Sequence, residues 1–300
     1  MAPVATAFHD GGMPAEKALR SPTCVDTASV TRPRTGYAYL DAVHAQPGAV
    51  LAFAHRGGAY HPELEGLENT MTAFRHAVDL GYQYLETDVH ATRDGGLFAF
   101  HDALLDRVTE HRGALAELST SDVSGAVVGG LEQIPLMANL LEEFPETCFN
   151  IDIKADAAVD PLADLVNRSR AHERICVGSF SQSRIERFRQ LVGPGVAVAS
   201  SPREVVTLRF APSLAVARRL LRSHAPVMQI PVRRKGVRVL TPGLLRRAHG
   251  LGMHVHVWTI DDPQEMHDLI DLGVDGLMTD RTDLLRDVLV DRGRWMGAPR

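Results

Sequence analysis

Four apolar runs in this 300-residue chain, all ending before residue 155, end in ionisable side chains: His55-Arg56, Glu86-Thr87-Asp88, His101-Asp102 and Asp152-Ile153-Lys154. One charged residue at the end of a strand is commonplace and mostly structural. Four successive runs that end this way point to a shared site. Glu86 and Asp88 stand two apart, so on a strand they share a face. Two carboxylates placed together repel unless a cation lies between them. Hard oxygen donors of this kind favour Mg2+ or Ca2+, and Asp152 offers a third carboxylate from a neighbouring run. His55 and His101 flank the acids, and imidazole both gives and takes protons near neutral pH. Arg56 and Lys154 offer a planar fork of donors and a point charge, both suited to phosphate oxygens. Together these groups describe P–O bond cleavage, one imidazole deprotonating the nucleophile and the other protonating the leaving alkoxide.

Such residues must be carried to a common place. From about residue 48 onward, apolar strand-like runs alternate with helical patterns. The strand candidates are 50–55, 82–90, 97–101, 148–153, 175–180, 196–199, 227–232, 254–259 and 276–279. Most are continuous and β-branched, as expected of parallel strands covered on both faces. Helical patterns fall at 70–80, 137–144, 183–191, 242–251 and 263–272, with Asn69 as N-cap, Gly81 and Gly273 as stops, and Pro242 and Pro263 in first turns. This alternation predicts an α/β fold, a TIM-like (β/α)8 barrel, whose strand C-termini share one face. Nine strand candidates are one too many. The link from Asp88 to Leu97 is also too short for a crossover helix, so one candidate lies outside the barrel. Residues 105–135, with Gly125 and Gly129-Gly130, read as an inserted loop or small cap. Residues 1–47 read as a loosely ordered leader, 48–290 as the barrel and 291–300 as a tail.

Composition sets outer bounds. The net charge of −5 gives no reason to expect a nucleic-acid partner. No run reaches the ~20 apolar residues of a membrane helix, so stable membrane insertion is not expected. No amphipathic helix rich in Trp and Lys suggests membrane docking either. Cys24, Cys148 and Cys176 form no C-x-x-C pair, which argues against a disulfide framework or thiolate site. The N-terminus lacks the pattern of a secretory signal, and a cytoplasmic location is the default expectation.

In order and spacing, several segments resemble the glycerophosphodiester phosphodiesterase family: His55-Arg56-Gly57-Gly58, Glu68-Asn69-Thr70, Glu86-Thr87-Asp88-Val89, Thr92-Arg93-Asp94-Gly95 and His101-Asp102. The match continues through Leu105-Asp106-Arg107-Val108-Thr109, Ile134-Pro135, Val257-Trp258-Thr259 and the closing segment from Gly273 to Asp280. The resemblance implies a TIM-like barrel that hydrolyses glycerophosphodiesters, small-molecule substrates, to glycerol 3-phosphate and an alcohol. It implies His55 and His101 as the acid/base pair and Glu86 and Asp88 as metal ligands. Asp152 stands where the family has Glu, and Leu67 where it has proline. Glu68 is expected to orient Arg56 or its loop. Trp258 is expected either beside the substrate or in the core, Phe180 and Met228 in the core, His254 and His256 as structural histidines, and His61 in solvent. The attacking oxygen is either water or the neighbouring glycerol hydroxyl. The nearest alternative is a lysophospholipase D on the same scaffold. A barrel that only binds phosphate compounds and a glycoside hydrolase are the remaining rivals, and the latter would not need Arg, His and Lys beside its carboxylates.

Overall fold

The computed structural model describes residues 32–221 and 223–297. In chain order its strands are β1 (Leu51–His55), β2 (Tyr84–Ala91), β3 (Leu97–Ala99), β4 (Val127–Val128), β5 (Glu132–Gln133), β6 (Cys148–Ile153) and β7 (Ile175–Gly178). They continue with β8 (Ala197–Val198), β9 (Val227–Ile230), β10 (Arg233–Arg234), β11 (Val237–Arg238), β12 (His254–Val257) and β13 (Gly276–Thr279). The helices are α1 (Ala38–Asp41), α2 (Met71–Asp79), α3 (Thr120–Ser124), α4 (Met137–Glu143), α5 (Val159–Ser169) and α6 (Gln182–Val192). After them come α7 (Pro202–Phe210), α8 (Leu214–Leu220), α9 (Pro242–Gly250), α10 (Pro263–Leu272) and α11 (Thr282–Asp291).

Eight strands pair in parallel in the order β8-β7-β6-β2-β1-β13-β12-β9. A parallel bridge from Ala199 to Val227 joins the two ends and closes the barrel. Both strand faces are buried, which explains the continuous apolar runs. Leu51, Phe53, Tyr84, Cys176, Ala197, Val227 and Met278 fill the interior. Residues alternating with them, including Ala52, Leu85, Phe149, Val177 and Leu277, pack outward in the second core that the helices share. Interior space is tight: a Cβ at Gly276 would lie 2.8 Å from His256 Cδ2 and 2.9 Å from Phe53 Cε2.

The ninth candidate strand is β3, which folds back antiparallel on β2 outside the barrel. The short link after Asp88 allows only that hairpin. His101 therefore stands in the loop after a hairpin strand, not at a barrel strand's end. The insert at 105–135 forms α3, the β4–β5 pair and single 3-10 turns. Phe98, Phe100, Leu105, Leu115, Val123, Val128 and Ile134 give it a small core of its own.

Of the expected leader, residues 1–31, with Cys24, lie outside the described residues, and residues 32–47 pack against the barrel. Tyr39, Leu40 and Val43 are buried with the interior core, and Tyr84 Oη donates to Tyr39 O at 2.7 Å. α1 and the turn after it thus seal the end of the barrel where the strands begin. The expected tail is also anchored: Trp295 stacks edge-on against Tyr82 at 5.0 Å. The N-cap of α2 is Thr70, whose Oγ1 accepts from Ala73 N, while Asn69 takes a left-handed φ of 57° and its Oδ1 accepts from Thr87 Oγ1. Pro242 and Pro263 open α9 and α10, and Gly273 ends α10 with a left-handed φ of 94°.

His254 and His256 are fully buried. His256 has no hydrogen-bond partner on either ring nitrogen, and burial together with His254 pushes its pKa down to about 3. The native ring stays neutral while an unfolded ring gains a proton below about 6.5, so the unfolded state binds more protons and acid destabilises the fold. Between pH 6.5 and 4.5 this one residue should cost about 2–3 kcal/mol. Denaturant midpoints measured at the two pH values should differ less in His256→Leu than in wild type; equal losses would remove His256 as the cause.

Candidate active site

The register of the central strands sets the site. His55 lies beside Glu86 across β1 and β2, Glu86 beside Asn150, and Asp88 beside Asp152 across β2 and β6. These inward positions form two adjacent rows at the C-terminal end of the barrel. Immediately after β1 the chain turns sharply. Arg56 takes a left-handed φ of 51°, and Gly57 follows at 84°, where a Cβ would lie 2.7 Å from Ala73 Cβ. Arg56 N donates to Glu86 O at 3.0 Å, which ties that turn to β2. Strained backbone of this kind persists only where its surroundings hold it.

Glu86 and Asp88 are almost completely buried. Burial, reinforced by repulsion from Asp88, raises the pKa of Glu86. Burial acts on Asp88 in the same sense, but Lys154 and Arg56 outweigh it and hold Asp88 below the usual carboxylate range. Lys154 Nζ lies 2.7 Å from Asp88 Oδ1 and 2.6 Å from Asp152 Oδ2. Arg56 Nε is 3.3 Å from Asp88 Oδ2, yet neither atom makes a hydrogen bond. Its Nη1 donates to Glu68 Oε1 at 3.2 Å. Glu68 in turn accepts two bonds from Arg107, at 2.8 and 2.6 Å, and Arg107 Nε also bonds Asp102.

Each histidine is held through Nδ1 by a carboxylate: His55 by Asp280 at 2.7 Å, and His101 by Asp102 at 2.6 Å. That leaves both Nε2 atoms for other partners. His55 Nε2 is 3.7 Å from Glu86 Oε2. Burial opposes charging of the His55 ring, but Glu86 and the Asp280 hydrogen bond outweigh it and push the pKa up to about 9. Asp280 is itself positioned by Asp261, whose Oδ1 accepts from Asp280 N at 2.8 Å.

A cavity of 360 Å³ contains His55, Arg56, Glu86, Asp88, His101, Asp152, Lys154 and Trp258. Every anticipated site residue lines it except Glu68, which reaches it through Arg56. Trp258 faces the cavity and meets Phe180 edge-on at 6.0 Å. Phe180, expected in the core, is 50 % exposed and forms part of the cavity wall; Met228 is buried in the core. His61, expected in solvent, is buried against His76, with the Nε2 atoms 3.3 Å apart.

Asp280, Arg107, Asn150 and Gln229 had no role in the sequence reading. Asp280 and Arg107 do lie within the family-like segments, and an Asp or Arg inside such a segment is the signal that could have found them. Asn150 Oδ1 accepts from Gln229 Nε2 at 2.6 Å across the cavity floor, a pairing only the closed barrel reveals.

The residues present suit a hard divalent cation at Glu86 and Asp88: the two acids are buried side by side, and Asp88 Oδ2 has no hydrogen bond. Asp152 is less available, because the Lys154 ammonium stands between it and Asp88. Among the described residues, the sets of three whose ligand atoms all lie within 4.8 Å are elsewhere, at Asp41, His44 and His254 and at His61, Glu63 and His76.

Comparison with known proteins gives this arrangement a context. The chain is 41 % identical over 254 residues to a Mycobacterium tuberculosis protein named "Probable glycerophosphodiester phosphodiesterase 2", covering 84 % of this chain and 95 % of that one. It is 27 % identical to a lysophospholipase D of Homo sapiens, covering 79 % and 85 %. An Oleispira antarctica phosphodiesterase, solved in complex with the product sn-glycerol-3-phosphate, shares the fold with a TM-score of 0.68 at 18 % identity, over 83 % of this chain and 99 % of that one. Residues 55–284 match the model of the glycerophosphoryl diester phosphodiesterase family, which places every site residue named above within the matched span, and the chain belongs to that family.

Proposed function

We propose that this protein hydrolyses glycerophosphodiesters to glycerol 3-phosphate and an alcohol, with His55 and His101 as the acid/base pair. The observation that carries the reading is the pair of imidazoles, each tied through Nδ1 to its own aspartate and lining one cavity with the carboxylates and cations. A carboxylate on Nδ1 fixes the ring and strengthens Nε2 as a base. Arg56 and Lys154 bind the phosphate oxygens, and Glu68, braced by Arg107, keeps Arg56 turned toward the cavity. One Nε2 takes the proton of the attacking oxygen, and the other returns a proton to the leaving alkoxide. The attacking oxygen belongs to water, or to the adjacent glycerol hydroxyl with a cyclic phosphate as intermediate. Trapping a cyclic glycerol phosphate distinguishes the two routes.

Charge balance supports a metal. Among the described residues, Glu68, Asp88, Asp102 and Asp152 share ion pairs with three permanent cations, Arg56, Arg107 and Lys154, and Glu86 and Asp280 pair with His55. An anionic phosphodiester entering that cluster needs further positive charge. Family membership brings divalent-metal dependence, and the oxygen donors here favour Mg2+ or Ca2+. Bound at Glu86 and Asp88, such an ion would neutralise the phosphate and polarise the bond to be broken. Asp152 could join it through Oδ1, its Oδ2 being bonded to Lys154. Two unpaired cysteines, Cys148 and Cys176, fit a reducing, cytoplasmic setting.

A lysophospholipase D activity is the second reading. It is favoured by the apolar wall that Phe180, Val205, Val206, Ile230, Pro231 and Trp258 form opposite the carboxylates. That wall suits the hydrocarbon part of a lysophospholipid, which glycerophosphocholine lacks.

His55→Ala and His101→Ala should each lower kcat on glycerophosphocholine by about 10²–10⁴, and Asp280→Asn by about 10–100. Near-normal turnover in both alanine variants, with circular dichroism unchanged, would refute the acid/base assignment. EDTA treatment should abolish hydrolysis, and Mg2+ or Ca2+ should restore it; activity that survives thorough chelation contradicts the metal reading. Comparing kcat/KM for glycerophosphocholine and lysophosphatidylcholine decides between the two substrate readings. A lysolipid preference that disappears in Phe180→Ser would assign the apolar wall to the acyl chain.

A further inference from the structure

Between Glu204 and Asp261 the sequence has no Asp or Glu, yet it carries ten Lys and Arg residues in a chain whose net charge is −5. The structure brings part of this basic stretch to the cavity mouth. β10 and β11 form a hairpin turned by Lys235 and Gly236, whose φ values of 47° and 80° suit a tight two-residue turn. All six residues from 233 to 238 are exposed, four of them cationic: Arg233, Arg234, Lys235 and Arg238. Arg234 places its guanidinium 5.0 Å from the centre of the Phe180 ring, which fastens the hairpin to the cavity wall.

Apolar side chains stand among these cations. Val206 and Phe210, one turn apart on α7, are 57 % and 74 % exposed, and Val237 on the hairpin is 65 % exposed. Arg209 Nη1 donates to Val239 O and to Thr241 Oγ1, each at 3.2 Å, so the end of α7 and the base of the hairpin form one surface. Phe180, Val206 and Arg234 belong both to this surface and to the cavity lining. Exposed Val and Phe beside the entrance are costly in water unless something covers them.

We infer that the β10–β11 hairpin and the exposed face of α7 form a peripheral docking surface for an anionic lipid bilayer, with the cavity mouth opening toward the lipid. The cations would meet anionic headgroups, each contributing roughly fivefold in partition, and the Phe and Val side chains would enter the headgroup–acyl boundary. Aliphatic side chains at the tip favour a lipid over a nucleic acid, whose phosphates would need only the cations. This is surface docking, not insertion; among the described residues no helix is long and apolar enough to cross a membrane. The benefit, substrate drawn directly from the bilayer, rests on the phosphodiesterase reading. The docking itself does not.

Sedimentation with vesicles tests it, using phosphatidylcholine alone or with about one third phosphatidylglycerol, at low and high salt. The full chain should bind the anionic vesicles at least tenfold more strongly than the neutral ones, and less strongly at high salt. Arg233→Glu with Lys235→Glu, and separately Phe210→Ser with Val237→Ser, should each weaken binding at least tenfold. The milder pair Arg233→Gln with Lys235→Gln should fall between the charge reversal and wild type. None of these residues lines the catalytic cavity, so hydrolysis of soluble glycerophosphocholine should stay at the wild-type rate, which also verifies folding. Wild-type protein that remains in the supernatant of anionic vesicles overturns the proposal. So does unchanged binding in the Phe210/Val237 pair together with equal capture of wild type by duplex DNA, which would mark a plain polyanion surface. If wild type binds vesicles but fails to cleave glycerophosphocholine, the docking stands and the catalytic reading falls.

Discussion

Two carboxylates buried side by side at the mouth of a barrel are the constraint on which the rest of the structure turns. Glu86 and Asp88 lie on one face of β2, where the pleat leaves them no choice but to share the interior. Neither can be ionised there without nearby positive charge, because burial and mutual repulsion both favour the neutral acid. The chain brings that charge from both neighbouring strands. Arg56 arrives on a left-handed turn at the end of β1, and Lys154 follows β6. Removing either cation would leave a buried charge uncompensated, so the same contacts that prepare the cavity for a phosphate also permit the fold.

The second layer explains why these groups hold still. Glu68 and Arg107 come from segments that the barrel alone would not order, and their bidentate pair joins the loop after β1 to the inserted cap. Arg107 also bonds Asp102, which holds His101. The cap, with its own apolar core, is thus mechanically linked to one imidazole. The other imidazole depends on Asp280 at the far edge of the matched family span, and Asp280 depends on Asp261. Pairing of the first and last barrel strands is what makes the second linkage possible. β1 and β13 are neighbours in the barrel but more than two hundred residues apart in the chain.

That distance is also why some of the site was legible in the sequence and some was not. Polar residues at the ends of apolar runs are local patterns, and His55, Arg56, Glu86, Asp88, Asp152 and Lys154 stand at the cavity where those patterns put them. The place of His101 at the cavity is legible though its setting is not: a hairpin strand reads like a barrel strand until pairing direction is known. Phe180 reads as core because it ends an apolar run, but β7 ends two residues earlier, at Gly178, and the ring lines the cavity. Helices α5, α7, α8 and α11 lie outside the helical patterns read from the sequence, although α5 buries a regular apolar face of Val159, Leu162, Ala163 and Val166. Asp280 and Arg107 stand inside the family-like segments, but which histidine or carboxylate each one supports is set by contacts that spacing does not encode.

The molecule therefore divides its charge by function. Acids gather at the centre of the cavity mouth, where the proposed function would place a cation and a phosphate. Cations predominate on the β10–β11 hairpin, where Arg233 shares a cleft with the single acid Glu265. Screening limits surface charges to a range of about 8–10 Å at ordinary ionic strength, so the exposed hairpin cations act chiefly on whatever approaches the rim. Trp258 and Phe180 stand at the boundary between the two regions, one ring beside the catalytic groups and the other under the Arg234 guanidinium. On the proposed function, a substrate spanning them would have its phosphate among fixed charges and its leaving group along an apolar wall. Selectivity for the phosphate and selectivity for the alcohol would then be set by different elements of the barrel, and the second could change without disturbing the first.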